Sequence, residues 1–356
     1  MSGAVGSSSG WLAARRVRLE TVFHERRRRQ AARGILLELL TALALVSACF
    51  LPLDADGAEA SFRIDRNLAY ANLSSAQKLD LYRPLGRRGA LPLVIYIHGG
   101  GFRFGSKAGA WNLIGPLLKA GFAVASIDYR LSGEARFPAQ IVDVKAAVRF
   151  LRADATRYRL DPHRFGAFGG SAGGYLATML AVTAGAPAFA DARVGGSDGS
   201  SSSVQAAVDW FGPVDFLSID AQRRSSPPCL PVRPKEQSVA GNNLLGVAPA
   251  SVPTSARRAS PISYLASAHA VPSILIEHGS ADCRVPPQQS RELYRALRAS
   301  GHGGSTRIVI VAGAGHGPRF GTVAQMPAVI RFFRKQIGNA SATTGRPLAR
   351  VGRRPS

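Results

Sequence analysis

Between residues 64 and 312 the chain alternates apolar, β-branched runs with stretches of helical periodicity, and this rhythm limits the fold more than any other feature. Leu91–Ile97 (LPLVIYI) and residues 122–127 (FAVASI) are nearly continuous apolar runs, the pattern of strands buried on both faces. Residues 164–168, 204–211, 273–278 and 307–311 read as further strands, and residues 79–82 (LDLY) alternate as an edge strand does. Helical spacing occupies Trp111–Lys119, 139–151, Ala172–Val182, 292–298 and 325–336, with Gly115-Pro116 interrupting the first of these. Strand and helix in turn imply an α/β fold, a mainly parallel sheet covered by helices on both faces. No internal repeat is present.

Two stretches break the rhythm. Residues 195–203 (GGSDGSSSS) read as a surface loop. Residues 214–272 are rich in Pro, Ser and Arg and weakly periodic, and a connection this long inside a compact domain is usually functional, so a small cap or lid over the site is expected there. The α/β domain is expected over residues 61–339, and residues 340–356 read as a disordered basic tail.

The N-terminal 60 residues read as an export signal or a membrane or lipid anchor. Arg26 to Arg29 and Arg33 precede an apolar run at 35–53, and an A-x-A site at Ala58 and Ala60 follows. Cys49 closes a VSAC sequence of the kind that is lipidated in lipoproteins, and the run is also just long enough to remain as a signal anchor. The expected location is therefore exported, periplasmic or membrane-anchored, with the cytoplasm as the alternative. Cys229 and Cys283 are the other two cysteines, and spacing leaves open whether they form a bridge or two unrelated thiols.

A net charge of +23 raises the question of a nucleic-acid partner. The basic residues are spread along the chain rather than gathered in a stripe, and no zinc-finger, RNA-binding or helix-turn-helix signature appears, so nucleic acid is not expected.

The sharpest chemical signal is Gly169-Gly170-Ser171-Ala172-Gly173, a G-x-S-x-G between a strand and a helix. Small neighbours allow the tight turn that exposes a nucleophile at a helix start, where developing negative charge is favoured. Taken alone the pattern is weak in a chain with 38 glycines, and a plain glycine-rich turn would read the same. A second signal, His98-Gly99-Gly100-Gly101, follows the strand ending at Ile97. Acyl transfer needs preorganised N–H donors for an oxyanion, and the N–H groups of Gly100, Gly101 and Ala172 are the candidates. His98 reads as a brace for that loop.

A serine nucleophile needs a base, and the base needs orienting. In this type of fold the order along the chain is Ser, acid, His. His316, in GAGHG after the last strand, is preferred over His269, His278 and His302. Asp282, on the loop after the strand 273–278, is preferred as the acid over Asp209, Asp215, Asp220 and Glu277. Asp128-Tyr129-Arg130 reads as structural support, with Asp143 as the partner of Arg130.

The pieces LDLYRP (79–84), YIHGGGFRFGSK (96–107), DYRL (128–131), GGSAGGYLA (169–177), WFGPVDF (210–216), ASPISYL (259–265), HGSADCRVPPQQS (278–290) and GAGHG (313–317) stand in one order. Together they resemble the esterases similar to hormone-sensitive lipase and, more closely, the bacterial feruloyl-esterase-like hydrolases. The resemblance covers residues 75–338. It implies the α/β-hydrolase fold, a Ser171–Asp282–His316 triad, a small-molecule ester substrate, and neither cofactor nor metal. Phe102 stands where relatives often carry Trp, and SGE replaces the APE usual in the lipase-like branch, which leaves acyl and alcohol preference open. The expected activity is cleavage of small acyl or aryl carboxylic esters. An amidase of the arylformamidase type or a peptidase on the same triad is the alternative enzyme, and a non-catalytic binding protein on the same scaffold is the alternative of another class.

Overall fold

The computed structural model describes residues 62–338, apart from short stretches between 185 and 198 and between 227 and 238 and the single residues 303 and 305. The export or anchor segment expected over 1–60, with Cys49, and the tail expected over 340–356 lie outside the described residues. One eight-stranded sheet organises the described part, in the order β1-β2-β4-β3-β5-β6-β7-β8. The strands are β1 (Phe62–Ala69), β2 (Lys78–Pro84), β3 (Leu91–Ile97), β4 (Ala123–Ile127), β5 (Leu160–Gly170), β6 (Ala206–Trp210), β7 (Ser273–Gly279) and β8 (Arg307–Val311). β2 is antiparallel to both β1 and β4, and every other pairing is parallel.

Two expectations about strands need correction. Residues 79–82 are not at an edge: β2 lies between β1 and β4, with Leu79 and Leu81 buried. The edge is β1, where Arg63, Asp65 and Arg66 within eight residues interrupt the apolar pattern. β5 is also longer than 164–168. It starts at Leu160 beside Leu91, and its polar opening is pinned by the Asp161 carboxylate, which accepts from His163 N (2.9 Å) and Arg164 Nε (2.6 Å).

The period-two alternation of β3 assigns its side chains to two cores. Leu93, Ile95 and Ile97 join the cluster beneath α2 (Ala139–Ala153) and α3 (Ala172–Val182). Val94 faces the other way, toward α1 (Trp111–Lys119) and α8 (Thr322–Ile337). Pro116 sits inside α1 without ending it. Among the described residues between β6 and β7 stand the short α-helices α4 (Ile219–Arg224), α5 (Val239–Leu245) and α6 (Pro253–Ala259). α7 (Gln288–Ala299) follows β7 and buries Leu293 and Leu297 against Ile274 and Ile276. Of the two alternatives for the thiols, the structure holds the bridge: Cys229 and Cys283 are disulfide-bonded, with Cα atoms 5.1 Å apart.

The parallel strands end nearly level. Ile97 pairs with Gly169, Gly170 with Trp210, Trp210 with Glu277, and Gly279 with Val311. Their following loops therefore emerge along one rim, the carboxyl-end rim where sites of open parallel sheets lie. His98–Gly101, Ser171, Phe211, Asp282 and His316 all stand on these loops.

Candidate active site

Ser171 stands between β5 and α3 with φ 58° and ψ −121°, a backbone that L-residues rarely adopt. The turn closes only because its neighbours lack side chains. A Cβ on Gly173 would lie 2.0 Å from Ile97 O, and one on Gly169 would lie 2.4 Å from the carbonyl carbon of Gly173. Ser171 N donates to Trp210 O (2.8 Å), which ties the turn to β6. Strain of this kind persists where surrounding structure imposes it.

The hydroxyl of Ser171 donates to His316 Nε2 at 2.9 Å. On the other side of the ring, His316 Nδ1–H donates to Asp282 Oδ2 at 2.6 Å. The second carboxylate oxygen, Asp282 Oδ1, accepts from the backbone N–H groups of Arg284 (2.9 Å) and Val285 (3.0 Å). Asp282 is completely buried, and burial alone would push its carboxyl up. Hydrogen bonds from His278 and His316, with the charge of both rings, outweigh that and hold it well below the usual carboxylate range. Phe211 packs its ring 4.7 Å from the His316 ring and 4.9 Å from that of Phe320.

The loop after β3 faces this group. Gly100 has φ 116°, and a Cβ there would lie 2.0 Å from Phe104 O, so the turn tolerates only glycine. His98 donates through Nδ1 to Gly99 O (2.7 Å) and stacks on Tyr129, with ring centroids 4.4 Å apart. Burial pushes the His98 ring down, against the Gly99 hydrogen bond and the Asp128 charge. Tyr129 O–H donates to His98 O (3.0 Å), and Asn243 Nδ2 on α5 donates to Gly101 O (3.0 Å). Ala172 opens α3, where the first N–H groups have no intrahelical acceptor.

The sequence-derived candidates thus converge: Ser171, His316 and Asp282 form one hydrogen-bonded chain, and Gly100, Gly101 and Ala172 stand on the loops beside it. Several of the rejected candidates are engaged elsewhere. Asp209 accepts from Thr178 Oγ1 (3.0 Å) and Gly212 N (2.8 Å), Asp215 closes a turn through Leu217 N (2.9 Å), and Asp220 pairs with Arg223 (3.1 Å). His302 Nε2 lies 3.0 Å from Ala268 O. Arg130 makes a multiple contact with Asp143, at 2.8 to 3.1 Å.

One participant escaped the sequence reading. His278, ranked below His316 as the base, donates through Nε2 to Val285 O (2.8 Å) and places the same nitrogen 3.3 Å from Asp282 Oδ2. Ser290 O–H donates to its Nδ1 (2.6 Å). His278 and Asp282 are four residues apart, a spacing without meaning outside a helix. Only the fold of the loop reveals the contact.

Above the triad opens a cavity of about 460 Å³. Its walls are largely apolar and aromatic, from Tyr96, Phe104, Leu113, Trp210, Phe211 and Val285. Ile219 and Arg223 of α4 and Ala240 and Asn243 of α5 contribute to it from the 214–272 segment. Trp210 Nε1 donates to Glu277 Oε2 (2.6 Å), and burial pushes the Glu277 carboxyl up to about 7, against that hydrogen bond and the charge of Arg331.

Residues 79–297 match the family model described as BD-FAE. LipM of Mycobacterium tuberculosis, named as a probable carboxylic ester hydrolase, is 32% identical over 238 residues, 66% of this chain and 52% of LipM. Esterase LipC of the same organism is 31% identical over 68% of this chain and 57% of its own. The chain thus spans little more than half the length of these curated relatives. Among solved structures, a truncated carbohydrate esterase from gut microbiota is 35% identical with a TM-score of 0.68, over 78% of this chain and 98% of that one. Esterase 2 of Thermogutta terrifontis, 21% identical with a TM-score of 0.60 over 79% of this chain and 97% of its own, shares the fold. The eight-stranded sheet, the loops on its rim and the match over residues 79–297 place this chain in the BD-FAE family of α/β hydrolases.

Proposed function

We propose that this protein is a serine esterase that cleaves small acyl or aryl carboxylic esters through an acyl-enzyme on Ser171. The observation that carries the reading is the continuous chain from Ser171 Oγ through His316 to the buried Asp282, at 2.9 and 2.6 Å. Esterase names among relatives at 31 and 32% identity support the same reaction class. His316 Nε2 takes the hydroxyl proton as Ser171 Oγ attacks the ester carbonyl. Asp282 holds the Nδ1–H tautomer and stabilises the imidazolium that forms. The N–H groups of Gly100, Gly101 and Ala172 meet the oxyanion. His316 then gives the proton to the departing alcohol oxygen, and the acyl group stays on Ser171. A water molecule, deprotonated by His316, releases the acid and restores the serine.

The 214–272 segment is the cap of this reading, because α4 and α5 supply cavity wall and Asn243 supports the glycine loop. The Cys229–Cys283 bridge supports an exported location, since disulfides persist in oxidising compartments. Mass spectrometry of the mature N-terminus, testing for cleavage and for a lipid on Cys49, checks that part.

The activity is tested with a panel of aryl and alkyl esters and matched amides, using wild type and Ser171→Ala. Ester hydrolysis that falls by about 10³-fold or more in Ser171→Ala is expected, with labelling of Ser171 by a fluorophosphonate probe. Equal turnover by Ser171→Ala, or hydrolysis of the amides in preference to their esters, overturns the assignment.

A further inference from the structure

The cavity over Ser171 has an uneven charge. Among the described residues that line it, none carries a carboxylate, whereas Arg223 and Arg284 both reach it. The two arginines differ in kind. Arg223 is buried and serves the backbone: it donates through Nε to Cys283 O (3.1 Å), through Nη2 to Arg284 O (2.6 Å), and pairs with Asp220 (3.1 Å). Arg284 has an exposed side chain, and among the described residues its guanidinium has no carboxylate partner.

The backbone carrying Arg284 is held at several points. Its N–H donates to Asp282 Oδ1 (2.9 Å), its C=O accepts from Arg223, and the preceding residue is bridged to Cys229. A cation is thus presented from a fixed anchor, two residues from the triad acid, to a largely apolar cavity. A guanidinium in such a place matches a carboxylate through paired N–H donors, and a nearby low-dielectric wall strengthens the attraction.

We infer that Arg284 is a specificity residue that selects esters bearing a carboxylate, on either the acyl or the alcohol part, a short distance from the scissile bond. This rests on the esterase reading above and narrows its substrate class. The carboxylate binds the Arg284 guanidinium while the apolar wall takes the remainder of the substrate. The proton transfers at Ser171 and His316 are unchanged.

The test compares kcat/KM for matched ester pairs: nitrophenyl hemisuccinate against nitrophenyl pentanoate for the acyl side, and acetyl-salicylate against phenyl acetate for the alcohol side. Wild type is expected to favour the charged member of at least one pair. Arg284→Gln is expected to lower the charged-to-neutral ratio for that pair by about tenfold, and Arg284→Lys by less. Arg157→Gln, a charge removed on α2's following turn far from this rim, is the control for the general attraction of a basic protein to anions, and its ratio should stay at the wild-type value. A wild-type ratio at or below one for both pairs, or an equal ratio in Arg284→Gln and wild type, overturns the inference while Ser171-dependent hydrolysis of the neutral esters leaves the esterase reading standing. If no ester is turned over in a Ser171-dependent way, both fall together.

Discussion

Asp282 gathers the contacts of two imidazole rings and two backbone amides on a single buried carboxylate. His316 Nδ1, His278 Nε2 and two backbone N–H groups converge on its two oxygens. Asp282→Asn replaces one acceptor oxygen by an NH₂ group that cannot accept from a ring N–H. The expected outcome is a fall in kcat of about 10³- to 10⁴-fold with little change in KM, measured on the best ester of the panel. His278→Gln removes a ring that touches the acid but not the serine. Its expected effect is smaller, about ten- to a hundredfold in kcat. Glu277, next in the chain, makes a pH prediction of opposite kind. Its folded carboxyl titrates at about 7, above its ordinary value, so the folded state holds the proton more tightly than the unfolded chain. That contribution to stability is full below the unfolded value and is lost as pH rises through about 7. Urea unfolding at pH 5 and pH 8 should show wild type losing on the order of 2 kcal/mol more than Glu277→Gln over this interval.

At the scale of elements, the strand-to-helix turn at Ser171 depends on the distance between α3 and β3. Gly173 touches the Ile97 carbonyl so closely that no Cβ fits, and backbone cannot yield as a flexible side chain would. Gly173→Ala should therefore destabilise the fold and displace Ser171, with a fall in thermal midpoint and in activity together; unchanged values of both would contradict this account. The same elements show what the sequence made legible. The buried strands were visible because a two-faced strand needs a run of apolar residues, as in 91–97 and 123–127. Ser171, Asp282 and His316 were legible as candidates because tight turns demand glycine, and glycines mark each of the loops that carry them. β1 was invisible because a solvated edge strand carries charge, and its partner β2 was mistaken for the edge. The His278–Asp282 contact was invisible for another reason: it depends on the path of a loop, for which sequence has no period. The cap region was legible as an interruption, but α4, α5 and α6 are each six or seven residues long, too short to show a helical repeat.

At the scale of the molecule, the disulfide closes a loop with 54 residues of separation, joining the segment after α4 to the loop after β7. Restricting the unfolded chain over such a loop contributes about 4 kcal/mol by the chain-entropy argument. The Cys229→Ser/Cys283→Ser double variant is accordingly expected to unfold at a lower temperature, and its activity at moderate temperature reports whether the acid loop keeps its place without the tether. Among the described residues no helix is long and apolar enough to cross a membrane. The bridge has one further meaning. The wall that admits a substrate and the turn that aims the imidazole share a covalent strut, one residue from Asp282. On the proposed esterase reading, remodelling the entrance for a bulkier guest therefore tugs on the turn that carries Asp282, so breadth of substrate and rate of turnover are expected to change together.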